Sequence, residues 1–237
     1  MKSVDIVIPI YYGCKDEIEP SIKKQVNFFR ENLKDYKWTI WIGLNGEDRD
    51  NILDLCKSIE KKFKEVKLDY VKKQGRGESL RNIWLKSKAD FVAYMDVDLA
   101  TNLENFRDLL NPLEGAYDFT YGSRYSSGNK ADRSLKRWVV SKAYNIFMIN
   151  AFLGAKFNDA QCGFKALKTN VAKKIVPLIK DYFWFFDTEL LYLAEKKGYN
   201  LKDIPVEWKE GSKSGVKIIK TSYDFIKKTM ELKYRNI

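Results

Sequence analysis

Asp96 and Asp98 flank a single valine in the stretch VAYMDVDLATNLENF, residues 92–106, at the end of an apolar run. In an extended segment residues i and i+2 point to the same side, so the two carboxylates face one way. Left alone they repel and raise each other's pKa. A divalent cation removes the repulsion, and hard cations such as magnesium prefer oxygen ligands. The pair also reads as turn or cap residues between a strand and a helix that starts near Asn102. The spacing by itself leaves both readings open.

The elements around the pair bear on that choice. VDIVIPIY, 4–11, is a β-branched apolar run and predicts a buried strand. Ile18, Ile22, Val26, Phe29 and Leu33 predict a helix over 17–34. Strand 37–45, ended by Asn45-Gly46, helix 51–64 and strand 66–72 come next. A glycine turn then opens a helix over 75–88, before strand 90–95 and helix 102–111. This alternation predicts an α/β fold with a mostly parallel central sheet and helices on both faces. Ligands in such sheets sit beyond the C-terminal strand ends. Residues 11–17, 44–48 and 96–98 would share that rim, which favours the functional reading of the aspartates.

The second half is less regular. It reads as strand 117–125, helix 134–153, helix 184–198, strand 200–210 and helix 218–235. In the last helix Ile219, Tyr223, Ile226 and Met230 form an apolar stripe among lysines. Such a stripe packs on its own domain or lies on a bilayer surface. Trp184, Phe185 and Phe186 read as core. No linker, repeat or low-complexity segment breaks the chain, so a single domain over 1–237 is expected.

Composition excludes several chemistries. Among 237 residues there is no histidine, and the three cysteines, Cys14, Cys56 and Cys162, form no CxxC pair. Zinc sites, disulfide frameworks and Ser-His-Asp or Cys-His catalysis are therefore not expected. The stretch 138–157 is apolar but interrupted by Lys142, Asn145 and Asn150, a poor membrane span. The N-terminus reads as a strand, not a signal peptide. A soluble or peripheral protein is expected. The net charge is +11 and lopsided: residues 1–120 hold 20 Lys and Arg against 21 Asp and Glu, residues 121–237 hold 23 against 11. A basic half suits an anionic partner such as a phosphate, an anionic lipid surface or nucleic acid.

Read in order, VIPIY, LNGED, GRGESLR, MDVDLAT, YGSRY, RWVVS, DAQCGFKAL, WFFDTELLYLAEKKG and IPVEW resemble glycosyltransferase family two across most of the chain. They look most like its polyprenyl-phosphate (dolichyl-phosphate) glucosyl- and mannosyltransferases. DAQCGFKAL and FFDTELL look closer to the glucosyl branch. The resemblance implies a GT-A (Rossmann-like) fold, with residues 1–120 as the nucleotide-sugar half and 121–237 as the acceptor half. It implies inverting transfer of a hexose from UDP-glucose or GDP-mannose to a polyprenyl phosphate at a membrane surface. Asp96 and Asp98 would then be the DxD pair holding Mg2+ or Mn2+ with the donor diphosphate.

By the same resemblance Pro9, Tyr11 and Glu17 cradle the nucleotide, and Asn45 contacts the base. Arg76, standing where relatives have lysine, contacts base or phosphates. Arg124, Arg137 and Ser141 bind the acceptor phosphate, a task that suits the planar fork of arginine. Asp159 and Gln161 line the site near the sugar. Asp187 and Glu189 contact the sugar or place the acceptor loop, with helix capping as the alternative for Asp187. In KEGSKSGVK, 209–217, Lys209, Lys213 or Lys217 replaces an arginine of the loop that closes over the donor. Many relatives carry membrane helices after the catalytic domain. This chain is expected instead on the cytoplasmic face, through its basic half and the 134–153 helix or through a separate membrane protein. Rival readings are transfer to a sugar or protein hydroxyl, a sugar-nucleotide sensor without catalysis, and a nucleic-acid-binding module. No nucleic-acid motif is recognised.

Overall fold

β1 (Lys2–Ile10) carries Ile6, Val7, Ile8 and Ile10 with no exposed surface at all. Burial on both faces in succession is the mark of a central strand in a parallel sheet. β1 pairs in parallel with β2 (Tyr36–Asn45) on one side and β4 (Phe91–Met95) on the other. β2 pairs in parallel with β3 (Val66–Val71). The helices α1 (Lys15–Asn32), α2 (Ile52–Lys62) and α3 (Arg76–Lys86) connect these strands. The computed structural model describes residues 1–126, 130–132, 135–209 and 218–236.

Side chains alternate across the sheet and build one apolar cluster on each face. Ile6, Ile8, Ala93 and Met95 point into the cluster under α1 and α2. There Phe106 of α4 (Phe106–Leu110) lies 4.8 Å from Phe29 and 5.8 Å from Phe164 between ring centres. Val7, Val92 and Tyr94 point into the other cluster. In it Trp84 of α3 packs 5.9 Å from Tyr94 and 6.3 Å from Phe186, which opens α7 (Phe186–Lys196).

The full sheet has the order β3-β2-β1-β4-β7-β5-β8, where β5 is Phe119–Ser123, β7 Phe164–Lys168 and β8 Leu201–Pro205. It is mostly parallel, as expected, except that β7 runs antiparallel to both β4 and β5. Met95 faces Phe164 in that register, so β7 begins at the edge where β4 ends. β7 and the helix after it, α6 (Thr169–Ile175), are absent from the sequence expectations. The run FKALK carries lysine at two of its five positions, and Lys165 is fully buried. An apolar-pattern search does not anticipate a buried lysine in a sheet core.

Three other elements differ from expectation. The strand over 200–210 divides at Val206: β8 pairs with β5, whereas β9 (Glu207–Lys209) pairs with β6 (Lys130–Asp132) in a separate two-stranded sheet. The helix over 134–153 is α-helical in α5 (Leu135–Tyr144) and continues as a π-helix over Asn145–Phe152. The last helix, α8 (Ile218–Lys233), packs through Phe225, Thr229 and Leu232, and Tyr144 bonds the Thr229 hydroxyl at 2.9 Å. Its Tyr223, Ile226 and Met230 stripe faces outward, at 74, 41 and 48 % exposed. Among the described residues no helix is long and apolar enough to cross a membrane.

Phe106 bridges Phe29 and Phe164 with no exposed surface. Phe106→Ala should lower unfolding stability by about 3–5 kcal/mol, as large-to-small core changes do. A urea titration reads this as a lower midpoint at unchanged slope.

Candidate active site

The C-terminal ends of β1, β2 and β4 lie on one rim because the three strands are parallel. Asp96 comes directly after the last residue of β4. Asp98, exposed, accepts the Ala100 N–H at 3.0 Å, which turns the chain off the sheet. Between them and the next element Leu99 sits at φ +54°, a conformation costly for a bulky side chain. Backbone strain of this kind persists where the surroundings over-determine it. Gly163, just before β7, lies so close that a Cβ there would run into the Asp96 carboxylate.

Arg76 opens α3 and reaches Asp96: Nη2 donates to Oδ1 at 3.1 Å. Two neighbours set its approach. Gly75 adopts φ +146°, and a side chain there would strike the Tyr182 carbonyl. That carbonyl accepts the Gly77 N–H at 2.9 Å. The Arg76 guanidinium lies 5.1 Å from the ring centres of both Tyr94 and Trp184. Its Nη1 is 3.7 Å from Asp187 Oδ2. Asp187 Oδ1 accepts from Lys165 Nζ at 2.9 Å and from the Tyr94 hydroxyl. Lys165 also donates to the Cys162 carbonyl at 2.6 Å. The result is a chain of alternating charge, Lys165–Asp187–Arg76–Asp96, buried everywhere but at its last member.

Asp96 keeps 41 % of its side-chain surface accessible, yet protein crowds its inner side. That crowding, together with the charges of Asp98 and Asp187, pushes its carboxyl up to about 6 against the opposing pull of Arg76. Burial also pushes Asp187 up, but Lys165 and Arg76 outweigh it and hold Asp187 below the usual carboxylate range. Two adjacent carboxylates, one raised toward neutrality by its surroundings, with a glycine keeping the space beside them open, fit a divalent cation. Among the described residues no third acidic or thiol group joins them into a metal-binding cluster. A cation here would complete its shell with oxygens from a ligand or from water.

A second cluster lies beyond β5. Arg124 grips Asp159 through Nε at 2.8 Å and Nη2 at 2.7 Å, and its backbone N–H donates to the same carboxylate at 3.0 Å. Asp159 has no exposed surface and also accepts the Gln161 N–H at 3.2 Å. Burial raises it, but the Arg124 charge and bonds outweigh that and hold it low. Gln161 Nε2 is buried without a partner among the described residues. Segment 159–163 thus joins the clusters: Asp159 bonds Arg124, and Gly163 abuts Asp96. Ser141 of α5 bonds the Tyr125 hydroxyl.

Other expected site residues divide by what holds them. Pro9, Tyr11 and Glu17 stand on the β1 rim, with Tyr11 exposed and Pro9 and Glu17 half-buried. Asn45 is not turned toward a ligand: its Nδ2 donates to the Ile10 carbonyl at 2.8 Å and its Oδ1 accepts the Gly75 N–H at 2.9 Å. It pins the Arg76 loop to the ends of β1 and β2. Asp187 does not cap α7, whose cap residue is Phe185, because its carboxylate belongs to the ion chain. Glu189 accepts the Lys180 and Asp181 N–H groups at 2.9 and 3.2 Å and pairs with Arg235 at 3.0 Å, bracing the loop before α7. Asp159 is enclosed and supports the site rather than opening onto it. The Arg137 side chain, Lys213 and Lys217 lie outside the described residues. Lys209 is exposed on β9.

Three contributors were missed. Lys165 stands out within DAQCGFKAL but without a role, and Gly163 in the same motif gives no signal of its own. Trp184, expected in the core, is 46 % exposed beside Arg76, whereas Phe185 and Phe186 are buried as expected.

The model of the glycosyl transferase family 2 matches residues 5–176, and the pairing of an exposed and a crowded aspartate at the β4 rim falls inside it. The chain belongs to glycosyl transferase family 2. A relative from Haloferax volcanii, glycosyltransferase AglD, is 29 % identical over 220 residues, 92 % of this chain and 35 % of that protein. The dolichyl-phosphate beta-glucosyltransferase ALG5C of Trichomonas vaginalis is 26 % identical over 235 residues, covering 93 % of this chain and 68 % of its own length. The chain therefore spans about a third of the first relative and two thirds of the second. Glucosyl-3-phosphoglycerate synthase of Mycobacterium tuberculosis, crystallised with Mn2+, uridine diphosphate and phosphoglyceric acid, superposes with a TM-score of 0.71. The sequence identity is 12 %, and the match covers 100 % of this chain and 80 % of that one. The fold is GT-A.

In this family 2 chain the Asp96 carboxyl is pushed up to about 6, whereas its ordinary value is 3.8. Without divalent cations its contribution to stability is present at low pH and is lost as pH rises between those values. Asp159 and Asp187, held low, contribute the reverse: stability present at higher pH and lost in acid. Asp96→Asn should therefore melt above the wild type at pH 7 in a chelator and level with it near pH 4. Scanning calorimetry at the two pH values reads the difference.

Proposed function

We propose that the protein transfers a hexose, with inversion, from a nucleotide diphosphate sugar to a polyprenyl phosphate at a membrane surface. The carrying observation is the Asp96/Asp98 pair at the rim of a GT-A sheet, with Arg76 held 3.1 Å from Asp96 by a buried chain of charges. Glucose is the favoured sugar, because several relatives are named dolichyl-phosphate beta-glucosyltransferases. UDP-glucose is accordingly the favoured donor, with GDP-mannose as the alternative. One seven-stranded sheet drawing strands from both halves supports a single catalytic unit over 1–237.

Asp96 and Asp98 would hold the divalent cation, Mg2+ or Mn2+. Bound there, such an ion neutralises charge on a leaving diphosphate. The residues of the chain supply the rest. Pro9, Tyr11 and Glu17 receive the nucleoside over the β1 rim. Arg76 presents a fixed guanidinium beside the diphosphate, and because it is already held in place no reorganisation is needed as charge develops. An oxygen of the acceptor phosphate attacks the anomeric carbon from the face opposite the diphosphate. The carbon–oxygen bond to the diphosphate breaks, and the nucleoside diphosphate leaves with the electron pair. Arg124, Arg137 and Ser141 receive the acceptor phosphate, with Asp159 fixing the orientation of Arg124.

Choice of acceptor rests on which group can act as a base. A hydroxyl acceptor needs a carboxylate within reach to take its proton. Asp159 and Asp187, the candidates for that task, are 0 and 1 % exposed and each is engaged by cations. A phosphate acceptor is already anionic and needs no such base. The charge of +12 on residues 121–237 suits an anionic lipid, and the outward stripe of Tyr223, Ile226 and Met230 suits peripheral attachment on the cytoplasmic face. Docking on a separate membrane protein would use the same stripe.

Purified protein with Mn2+, UDP-glucose or GDP-mannose and a short polyprenyl phosphate should yield a sugar-phosphate lipid with one donor. No such product with either donor would overturn the reading, and a product on a free sugar or peptide hydroxyl would transfer it to the other acceptor class. Asp98→Ala should remove the Mn2+-dependent part of donor binding, read by calorimetric titration, and lower turnover by at least about a hundredfold.

A further inference from the structure

Trp184 is an indole in an unusual position. The next two residues, Phe185 and Phe186, are 1 and 0 % exposed, yet Trp184 is 46 % exposed. Looseness does not account for this, since its segment is pinned on every side. The Phe183 N–H donates to Asp181 Oδ1 at 2.7 Å, and Asp181 pairs with Lys228 of α8 at 2.7 Å. The Tyr182 carbonyl accepts the Gly77 N–H at 2.9 Å, and the Tyr182 ring carries Lys73 at 3.2 Å from its centre. The chain is held so that an indole stays partly outside the core, a placement that gives up much of its burial energy.

The contacts of the indole give the reason. Arg76 lies 5.1 Å from its centre and bonds Asp96 at 3.1 Å, so a single guanidinium separates Trp184 from the carboxylate pair. Three residues on, Asp187 bonds Lys165 of β7 and Tyr94 of β4, while Tyr182 packs on Gly75 and Gly77, so this segment runs from the Arg76 loop to the β4–β7 part of the rim. The nucleoside, in the reading above, lies over the β1 rim, and Asp187 leads the segment away from it toward β4 and β7. A diphosphate centred on Asp96 and Asp98 therefore carries its sugar toward Trp184. A hexose ring offers flat faces of C–H groups between polar edges, and an indole face covers such a surface without requiring a hydrogen bond.

We propose that Trp184 is a specificity-determining residue that packs against the hexose ring of the donor. This rests on the donor reading above, and calorimetric titration separates the two. Wild type, Trp184→Ala, Trp184→Phe and, as a neighbouring control, Phe183→Ala are titrated in Mn2+ with UDP-glucose, UDP, GDP-mannose and GDP. Trp184→Ala should weaken the sugar nucleotide that the wild type binds by about three- to tenfold, the scale of one aromatic contact, and change the bare nucleotide by less than about twofold. Trp184→Phe should keep most of the affinity, and Phe183→Ala should match the wild type. Trp184→Leu replaces the alanine variant if that one does not fold, with the same selective loss expected. Equal losses for sugar nucleotide and bare nucleotide would overturn the proposal in favour of a nucleoside or phosphate contact. So would unchanged donor binding with a raised KM for polyprenyl phosphate alone. If the wild type binds no sugar nucleotide, the donor reading fails and this proposal falls with it.

Discussion

The line of charge from Lys165 through Asp187 and Arg76 to Asp96 is the constraint on which the rest of the site depends. Taking Lys165, Asp187 and Arg76 out of water is expensive, and buried ion pairs gain little net stability over apolar packing. Each member is tolerable because the next one cancels it: Lys165 sees Asp187 at 2.9 Å, and Asp187 shares Arg76 with Asp96. Removing one inner member would leave an uncompensated charge, at a cost of about 3–5 kcal/mol. The chain is thus better understood as a fixture than as a source of stability. It anchors one end in β7 and delivers the other to the rim, where Asp96 remains poorly neutralised. That residual imbalance is one that a cation and a diphosphate would resolve together.

Around that fixture small residues and backbone groups do the aligning. Gly163 cedes space to Asp96, Gly75 lets the Arg76 loop pass under Tyr182, and Asn45 ties that loop to two strand ends. Asp159 plays a matching part beyond β5, fixing Arg124 by three hydrogen bonds from within the core. Several polar residues of the motifs therefore serve as supports one layer behind the rim.

The parts of this arrangement governed by local periodicity were legible in the sequence. β1 to β4 with α1 to α3 show apolar or alternating runs or a helical stripe, and their parallel order places Asp96 and Asp98 on a rim. Tertiary pairing was not legible. FKALK hides a strand because Lys165 is neutralised by Asp187, 22 positions away, and no local pattern reports that partner. Trp184 and Phe186 look alike in a linear reading, and only the pinning of residues 181–184 turns one outward. The α8 stripe was seen, but its direction was not: Phe225, Thr229 and Leu232 form a second stripe on the same helix, and packing against Tyr144 decided between them. Asn45 and Glu189 carry polar atoms that look available for substrate until their backbone partners are known.

The reversed run of β7 has a consequence for how such a site can change over time. A parallel strand lends the rim only the residues after its C-terminal end, so its loop leads directly into a helix and is confined by both neighbours. β7 instead lends the residues that precede it, 159–163, at the far end of a long excursion beginning after β5. That excursion can lengthen, shorten or exchange its recognition surface without shifting the β1–β4 half. One lineage could in this way inherit an unaltered Asp96/Asp98 rim while the surface facing it diversifies.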